Sequence, residues 1–463
     1  MRCRPPSVST SANRSAACHR SCSLTVHLRG QDSHFQGGFR NFRTLAILPI
    51  LGSNRADGVP GSLVGEQRTP PGGMSMADLV DLLTAPDRDA VLAALSAEGP
   101  ASPGTYLDGT PLWLVTGHPE SLTVLTDPRF GSDPTKQSRV DVAAAAGLPE
   151  DVAPYLMHTL GAYDPLDHTR LRRLVSRAFT ARRVERLRPR IQQLADELLS
   201  GLPDEFDLIE RFAAPLPIAV ICELLGVPAQ DRDTWRAWTD DLTAPDPSRI
   251  ADGARGLVAY MAGLIDRKSG QGGDDLLSAL IAVRDEGGDR LSEQELIAMS
   301  ISILIAGHET TVGLISQSVW LILTRALELD DVEAAVEEFL RHSGPAEIAV
   351  LRYARESVEL GGVTIQAGEA VQVVYGAANR DPRRFARPEE LDPSRADNAH
   401  LGFGHGIHHC LGAALARAET QIALTTLLRR FPGLALAVPA DRIVRQPGIR
   451  RALSALPVRV GPS

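Results

Sequence analysis

Lysine is almost missing from this chain: Lys136 and Lys268 are its only two, and arginine supplies the rest of the 48 basic residues. With the abundance of alanine and glycine, that skew reads as the trace of a GC-rich coding sequence and carries no function. Long apolar runs are also missing. No eighteen consecutive residues are apolar, so a helix crossing a bilayer is not expected. Positive charge is in deficit, the formal net charge being -9. That argues against nucleic acid as a main partner, because phosphate binding needs a basic surface. Paired cysteines are lacking too. Cys3, Cys18, Cys22, Cys222 and Cys410 include no CxxC, and their odd number gives no disulfide framework. Cys222 closes the apolar run Ile218-Ala219-Val220-Ile221-Cys222 and reads as a small core residue. What is present is a globular composition, 43% hydrophobic and 23% charged, over 463 residues. That length by itself suggests two or three domains.

Residues 1–75 depart from the rest. They are rich in Ser, Arg and Gly, and arginines such as Arg2, Arg14, Arg29, Arg43 and Arg68 meet only Asp32, Asp57 and Glu66. The one apolar patch, Leu45 to Leu51, is too short to span a bilayer and contains Pro49. The composition imitates an organellar transit peptide, and the patch imitates a signal sequence. The plainer reading is a leader ahead of a start at Met74 or Met76, because regular patterning begins just after Met76. On each reading the segment is expected to be disordered, with 76–463 as the folded domain.

From Met76 onward the pattern is mainly α with small β-sheets. Around Tyr106 to Val115, two strand-like runs flank Asp108-Gly109, a strong hairpin signal. A second strand patch, Val358 to Val374, is punctuated by Gly361-Gly362 and Ala367-Gly368. Between them, Leu166 to Ala178 and Arg190 to Leu199 carry apolar residues at helical spacing. The most informative helix starts at Ser292, which with Glu295 forms a capping box ahead of the apolar run Leu296 to Leu323. About thirty residues make a rod of roughly 45 Å. Apolar on nearly every face, it should be a central buried helix. Ala306-Gly307-His308-Glu309-Thr310-Thr311 breaks the pattern at its middle, and a local distortion is expected there. A buried helix that gives up stability to hold Gly, Glu and two Thr usually does so for chemistry.

Near the C-terminus the chain reads Phe403-Gly404-His405-Gly406-Ile407-His408-His409-Cys410-Leu411-Gly412, then a helix from Ala413. The two early glycines allow a tight loop close to a large flat ligand. Cys410 sits at the mouth of the following helix, where free N–H groups and the positive dipole end favour thiolate over thiol. By itself the loop leaves three readings open: a metal-ligating thiolate, an inert buried cysteine, and a zinc site using His405, His408, His409 and Cys410. The zinc reading is weakened by the absence of a CxxC partner.

Taken together, the motifs resemble those of the cytochrome P-450 family, in its soluble bacterial class of macrolide- and polyketide-tailoring enzymes. The loop matches FGxGxHxCxG at every fixed position, and the similarity runs from Met76 to the C-terminus. The resemblance implies a fold that holds haem b (iron protoporphyrin IX) between the long central helix and the cysteine loop. Cys410 would be the axial thiolate ligand, with Ala306, Phe403, Gly404 and Gly412 against the haem. Thr310 would hydrogen-bond dioxygen or its ordered water, and Glu309 would relay protons, the two forming the catalytic pair. Glu338 and Arg341 resemble the ExxR pair, one helical turn apart, with Arg395 as its third member. His168 and Arg172, at i and i+4 on one helix face, would join Arg352 and His408 in holding the two propionates. Arg170 and Arg173 read as ordinary surface bases.

The same resemblance implies a monooxygenase of secondary metabolism. One atom of dioxygen would enter a small apolar organic substrate by hydroxylation or epoxidation, and the other would become water. The chain has no flavin or nicotinamide motif and no cysteine set for an iron–sulfur cluster. Electrons, ultimately from NAD(P)H, are therefore expected through a separate ferredoxin and ferredoxin reductase, docking near the haem-loop side. The protein is expected to be a cytoplasmic monomer. Its substrate cavity is expected from Val140 to Leu160, Phe206 to Pro245 and Glu347 to Leu351, with Ile303, Ala306 and Ile449. Two alternatives stand beside this reading. One is a peroxide-using or oxidative-coupling enzyme, against which the Glu309-Thr310 pair speaks. The other is a haem-based gas sensor, which has no need of a thiolate combined with a proton relay.

Overall fold

A computed structural model describes residues 77–106, 109–134, 148–242, 246–283, 288–448 and 450–461, all within the unit Phe42–Ser463. The expectation for residues 1–75 lies outside the described residues. Six helices position the site: α1 (Pro165–Ala178), α2 (Ala181–Leu198), α3 (Pro215–Leu225), α4 (Glu293–Arg325), α5 (Val332–Ser343) and α6 (Ala413–Arg430).

The capping box that opens α4 is made in full. Ser292 Oγ accepts the Glu295 N–H at 3.2 Å, and Glu295 Oε2 accepts the Ser292 N–H at 2.8 Å. Two of the four N–H groups orphaned at a helix start are thereby satisfied. The helix runs 33 residues and ends where Ala326 turns left-handed at φ 48°. By length and a mean hydropathy of 1.4 it could cross a membrane, but 67% of that window is buried inside the protein. It is a core helix, packed by α3, α5 and α6.

The distortion expected at Ala306 to Thr311 is not there: α4 is continuous α-helix through that stretch. Thr310 and Thr311 bond back to Ala306 O and Gly307 O without interrupting it. Gly307 has a packing reason instead. A Cβ there would lie 2.7 Å from Ile221 Cδ1, so glycine lets α3 approach the middle of α4. A second correction concerns α2, which begins at Ala181 and runs through Pro189, not from Arg190 as the apolar spacing suggests. Proline removes one N–H and strains one turn, while the buried face of Val184, Ile191, Leu194 and Ala195 holds the helix together.

The main sheet has six strands: β1 (Ala77–Asp78), β2 (Ala101–Thr105), β3 (Pro111–Val115), β4 (Phe130–Gly131), β5 (Arg352–Ala354) and β6 (Ala370–Val373), in the order β1-β2-β3-β6-β5-β4. β2 and β3 form the expected antiparallel hairpin, registered from Ala101↔Val115 to Thr105↔Pro111. Its first strand lies before Tyr106, and Gly109 takes φ +83° at the turn; Asp108 lies outside the described residues. The second patch divides into a hairpin, Val358–Leu360 with Val363–Ile365, followed by β6. Arg352 pairs with Val371 across β5 and β6, so the sheet fixes one of the residues singled out by the sequence.

Candidate functional site

A cavity of about 340 Å³ opens between α4, the start of α1, and the loop leading into α6. The loop is built on backbone. Gly404 and Gly406 take φ +69° and +71°, a region costly for residues with a Cβ. A Cβ on Gly406 would also lie 2.5 Å from Leu125 O. The Cys410 N–H then donates to Phe403 O at 2.9 Å, closing the turn and aiming the cysteine at the cavity. Arg417 stacks over the Phe403 ring at 4.5 Å and is itself held by Glu337.

Opposing influences act on the thiol. Burial pushes the Cys410 pKa up, outweighing the Gly412 N–H and the Arg172 and Arg417 charges that favour the anion. The anion-favouring groups at the helix start thus act against the cost of burial. A bound metal cation would supply the missing stabilisation. Among the described residues no group of three or more His, Cys, Asp or Glu is placed to hold a metal ion.

One edge of the cavity is lined with basic residue types. His168 and Arg172 both line it from α1, and His408 lines it from the loop. The His168 and His408 rings lie 4.4 Å apart, and Ser132 Oγ lies 3.1 Å from His408 Nε2. Burial, then the nearby Arg172 and Arg352 charges, hold His168 down at about 4. Arg352 is 3% exposed and, among the described residues, donates to the carbonyls of Val350 and Leu351. Asp164, the nearest carboxylate influence on it, is committed to Arg355 at 2.7 Å. Neither nitrogen of His168 has a hydrogen-bond partner among the described residues. A buried arginine paired with carbonyls and no carboxylate among the described residues, beside an orphaned imidazole, is costly. The two fit a flat ligand that carries carboxylates at one edge and a metal above Cys410.

Ala306, Phe403, Gly404, Gly412 and Thr310 all line the cavity as well. Arg352 and Glu309 do not reach its wall. Thr310 Oγ1 donates to Ala306 O at 3.0 Å, so in this rotamer it offers the cavity only acceptor lone pairs. Glu309 turns away and ion-pairs with Arg450.

Of the expected lining segments, Leu160, Ile303, Ala306, Ala349 and Val350 contribute, and Ile221 comes from the Phe206 to Pro245 stretch. Glu347 does not: it is buried between Arg88 and Arg451. Leu351 is off the wall, and Phe206 belongs to a strand paired with Val458. Val140 to Gly147 and Ile449 lie outside the described residues.

The Glu338, Arg341 and Arg395 set is fully assembled behind the loop. Arg341 grips Glu338 through Nε and Nη2, both at 2.8 Å, and Arg395 Nε donates to the same carboxylate at 3.1 Å. The Asp392 N–H and Asn398 Nδ2 also donate to it. Arg170, expected as a surface base, pairs with Asp289 and Glu295 and so ties α1 to the cap of α4. Sequence reasoning missed Tyr375, which lines the cavity beneath Gly404, and the Arg88–Glu347–Arg451 cluster. Nothing in the local sequence marks either.

A mainly helical body with an apolar cavity between a core helix and a cysteine loop, edged by basic residues, fits a haem-thiolate type of protein. Comparison with known proteins agrees. The family model described as Cytochrome P450 matches residues 327–437. Cytochrome P450 monooxygenase PikC of Streptomyces venezuelae is 45% identical over 79% of this chain and 89% of its own length. Mycinamicin IV hydroxylase/epoxidase of Micromonospora griseorubida is 44% identical over 72% of this chain and 86% of its own. The tirandamycin C-bound P450 monooxygenase TamI superposes with a TM-score of 0.74 at 39% identity, covering 83% of this chain and all of that one. The chain belongs to the cytochrome P450 family, in its bacterial class, and is a P450 monooxygenase.

Proposed function

We propose that the domain 76–463 binds haem b through Cys410 and inserts one atom of dioxygen into an apolar, polyketide-like substrate by hydroxylation or epoxidation. The observation that carries this is the Cys410 thiol facing an apolar cavity whose edge holds Arg172 and two imidazoles, His168 and His408, with the Arg352 charge close to both imidazoles. Bound there, haem under a thiolate ligand supplies the cleavage of dioxygen. The protein's own residues do the rest. Arg172 and Arg352 neutralise the propionates, and His168 gives a propionate the hydrogen bond it now lacks. Ile303, Ala306, Ala349 and Val350 exclude water and hold the substrate against α4. Thr310 Oγ1, once rotated off Ala306 O, donates a proton into the cavity, and Glu309 replenishes it. The names of the relatives, which include a hydroxylase/epoxidase, support the substrate class and the reaction.

Electrons reach the site from NAD(P)H through a ferredoxin and its reductase, since the sequence carries no redox motif of its own. Leu166 and Ile407 are large apolar residues left exposed on the elements that carry His168 and Cys410, a suitable footing for such a donor. The protein acts as a cytoplasmic monomer.

The test is the absorption spectrum of the dithionite-reduced, carbon-monoxide-bound protein beside a Cys410→Ser variant. A Soret band strongly red-shifted from that of histidine-ligated haem, and lost in the variant, is the expected result. A histidine-type band, or no haem in the wild type, would overturn the assignment.

A further inference from the structure

Among the residues in the cavity wall stands one phenol, Tyr375, which is 9% exposed. It opens the short helix Tyr375–Ala378, one residue after β6. The backbone that carries it is held from several sides. The Val374 N–H donates to Val115 O at 2.9 Å, the Ala349 N–H to Val373 O at 2.9 Å, and the Gly376 N–H to Glu347 O at 3.2 Å. The Asn379 N–H closes the helix onto Tyr375 O at 2.9 Å. On such a mount a packed side chain has one settled direction.

That direction is toward the start of the cysteine loop. A Cβ on Gly404 would lie 3.1 Å from the Tyr375 hydroxyl and 3.9 Å from His408 O. The hydroxyl and the backbone of His408, an edge residue, therefore border the same small space, which glycine at φ +69° leaves open. Among the described residues the hydroxyl has no hydrogen-bond partner. A buried tyrosine usually finds one. Burial pushes the phenol up to about 12, and among the charges Arg352 acts on it ahead of Cys410. The hydroxyl thus keeps its proton and can donate.

We propose that Tyr375 is a further cofactor-binding residue, its hydroxyl donating to the haem carboxylate that Arg352 neutralises. The proposal rests on the reading of this cavity as a haem site. It adds a donor that reaches the carboxylate edge from the side of the cysteine loop. An ionised carboxylate has about four lone-pair sites to satisfy, and Arg352 already spends Nη1 on the carbonyls of Val350 and Leu351. A neutral donor beside Arg352 meets part of that demand without a second charge to desolvate. A hydrogen bond to an ionised acceptor is about twice as strong as one between neutral groups, so the hydroxyl contributes to haem retention. The competing acceptor is the Cys410 sulfur, whose influence on the phenol is the weaker of the two.

Resonance Raman spectra of the ferric haem-loaded protein, wild type beside Tyr375→Phe, test this without turnover. The exchange removes one oxygen and keeps the ring, so the wall and the fold are retained. A propionate bending band should shift in the variant while the iron–sulfur stretching band stays in place. Haem transfer to excess apomyoglobin should become about tenfold faster or more, the loss expected for one hydrogen bond to an ionised group. Superimposable propionate bands in the two proteins would overturn the proposal even if haem were lost faster, because a packing change also speeds haem loss. A shift of the iron–sulfur band alone would overturn it too, and would assign the hydroxyl to Cys410. A wild type that takes up no haem would sink the haem reading and this proposal together. A wild type with haem and an unresponsive Tyr375→Phe sinks the proposal alone.

Discussion

Two buried glutamates on neighbouring elements have opposite surroundings. Glu338, fully buried on α5, accepts from Arg341, Arg395, the Asp392 N–H and Asn398. Replacing it with alanine leaves two buried guanidinium groups without their anion, and should lower stability by about 3–5 kcal/mol, measured by urea unfolding of the haem-loaded protein. An unchanged midpoint would mean that the arginines find other partners. Glu419, fully buried on α6, has no hydrogen-bond partner for either oxygen among the described residues. Burial alone raises its pKa well above the ordinary 4.5. The native state then keeps a proton that the unfolded chain has released. Stability from this group is complete below about pH 4.5 and is lost as pH rises from there toward the raised native value. Glu419→Gln cannot titrate, so wild type should lose stability relative to the variant as pH climbs from 4.5. Parallel pH profiles for the two proteins would mean that the carboxyl is already ionised or hydrated. The ExxR spacing made Glu338 legible in the sequence. Nothing in the sequence separated Glu419 from a surface glutamate, because its isolation is a property of what packs around α6.

At the level of elements, α4 teaches the same distinction. Its cap, length and burial could be read directly: Ser292 and Glu295 are three residues apart, and the run that follows is apolar on all faces. Its interior was misread. Glycine and threonine lower helix propensity, yet α4 stays continuous, since packing on three helices outweighs a propensity deficit of about 1 kcal/mol. Gly307 serves the crossing with α3. Gly307→Ala should destabilise by about 1–3 kcal/mol through overpacking against Ile221. Adding Ile221→Ala, which removes both clashing carbons, Cδ1 and Cγ1, should leave the pair less destabilised than the sum of the two single losses in a double-mutant cycle. Additive losses would locate the strain elsewhere. The cysteine loop was legible at once because its glycines and cysteine are local, and positive φ at Gly404 and Gly406 is a demand on single residues.

Across the whole molecule, the decisive contacts join segments hundreds of residues apart. Arg88 donates to Glu347 and to the carbonyls of Leu83, Gln446, Gly448 and Arg450. One side chain thus locks the first helical segments to the C-terminal strands and to the wall segment Ala346 to Val350. Arg88→Met should cost about 3–5 kcal/mol, because it leaves part of the Glu347 charge and several buried carbonyls unmatched. Thermal unfolding of the haem-loaded protein checks this. Substrate-induced spectral changes should weaken in the same variant, since Ala346, Ala349 and Val350 share that anchor. Normal stability would mean that Arg451 alone suffices for Glu347.

The sequence by itself determined the helical class, the cap and burial of α4, the cysteine loop, the Glu338–Arg341 pair and the bases on α1. Each of these rests on spacing within a few residues, where backbone geometry converts sequence distance directly into spatial distance. Only the tertiary structure decided that Glu309 faces Arg450, and that Glu347 belongs to a charge cluster and not to the cavity wall. Those outcomes depend on desolvation and on partners brought together by folding, and neither is written in the neighbourhood of the residue concerned.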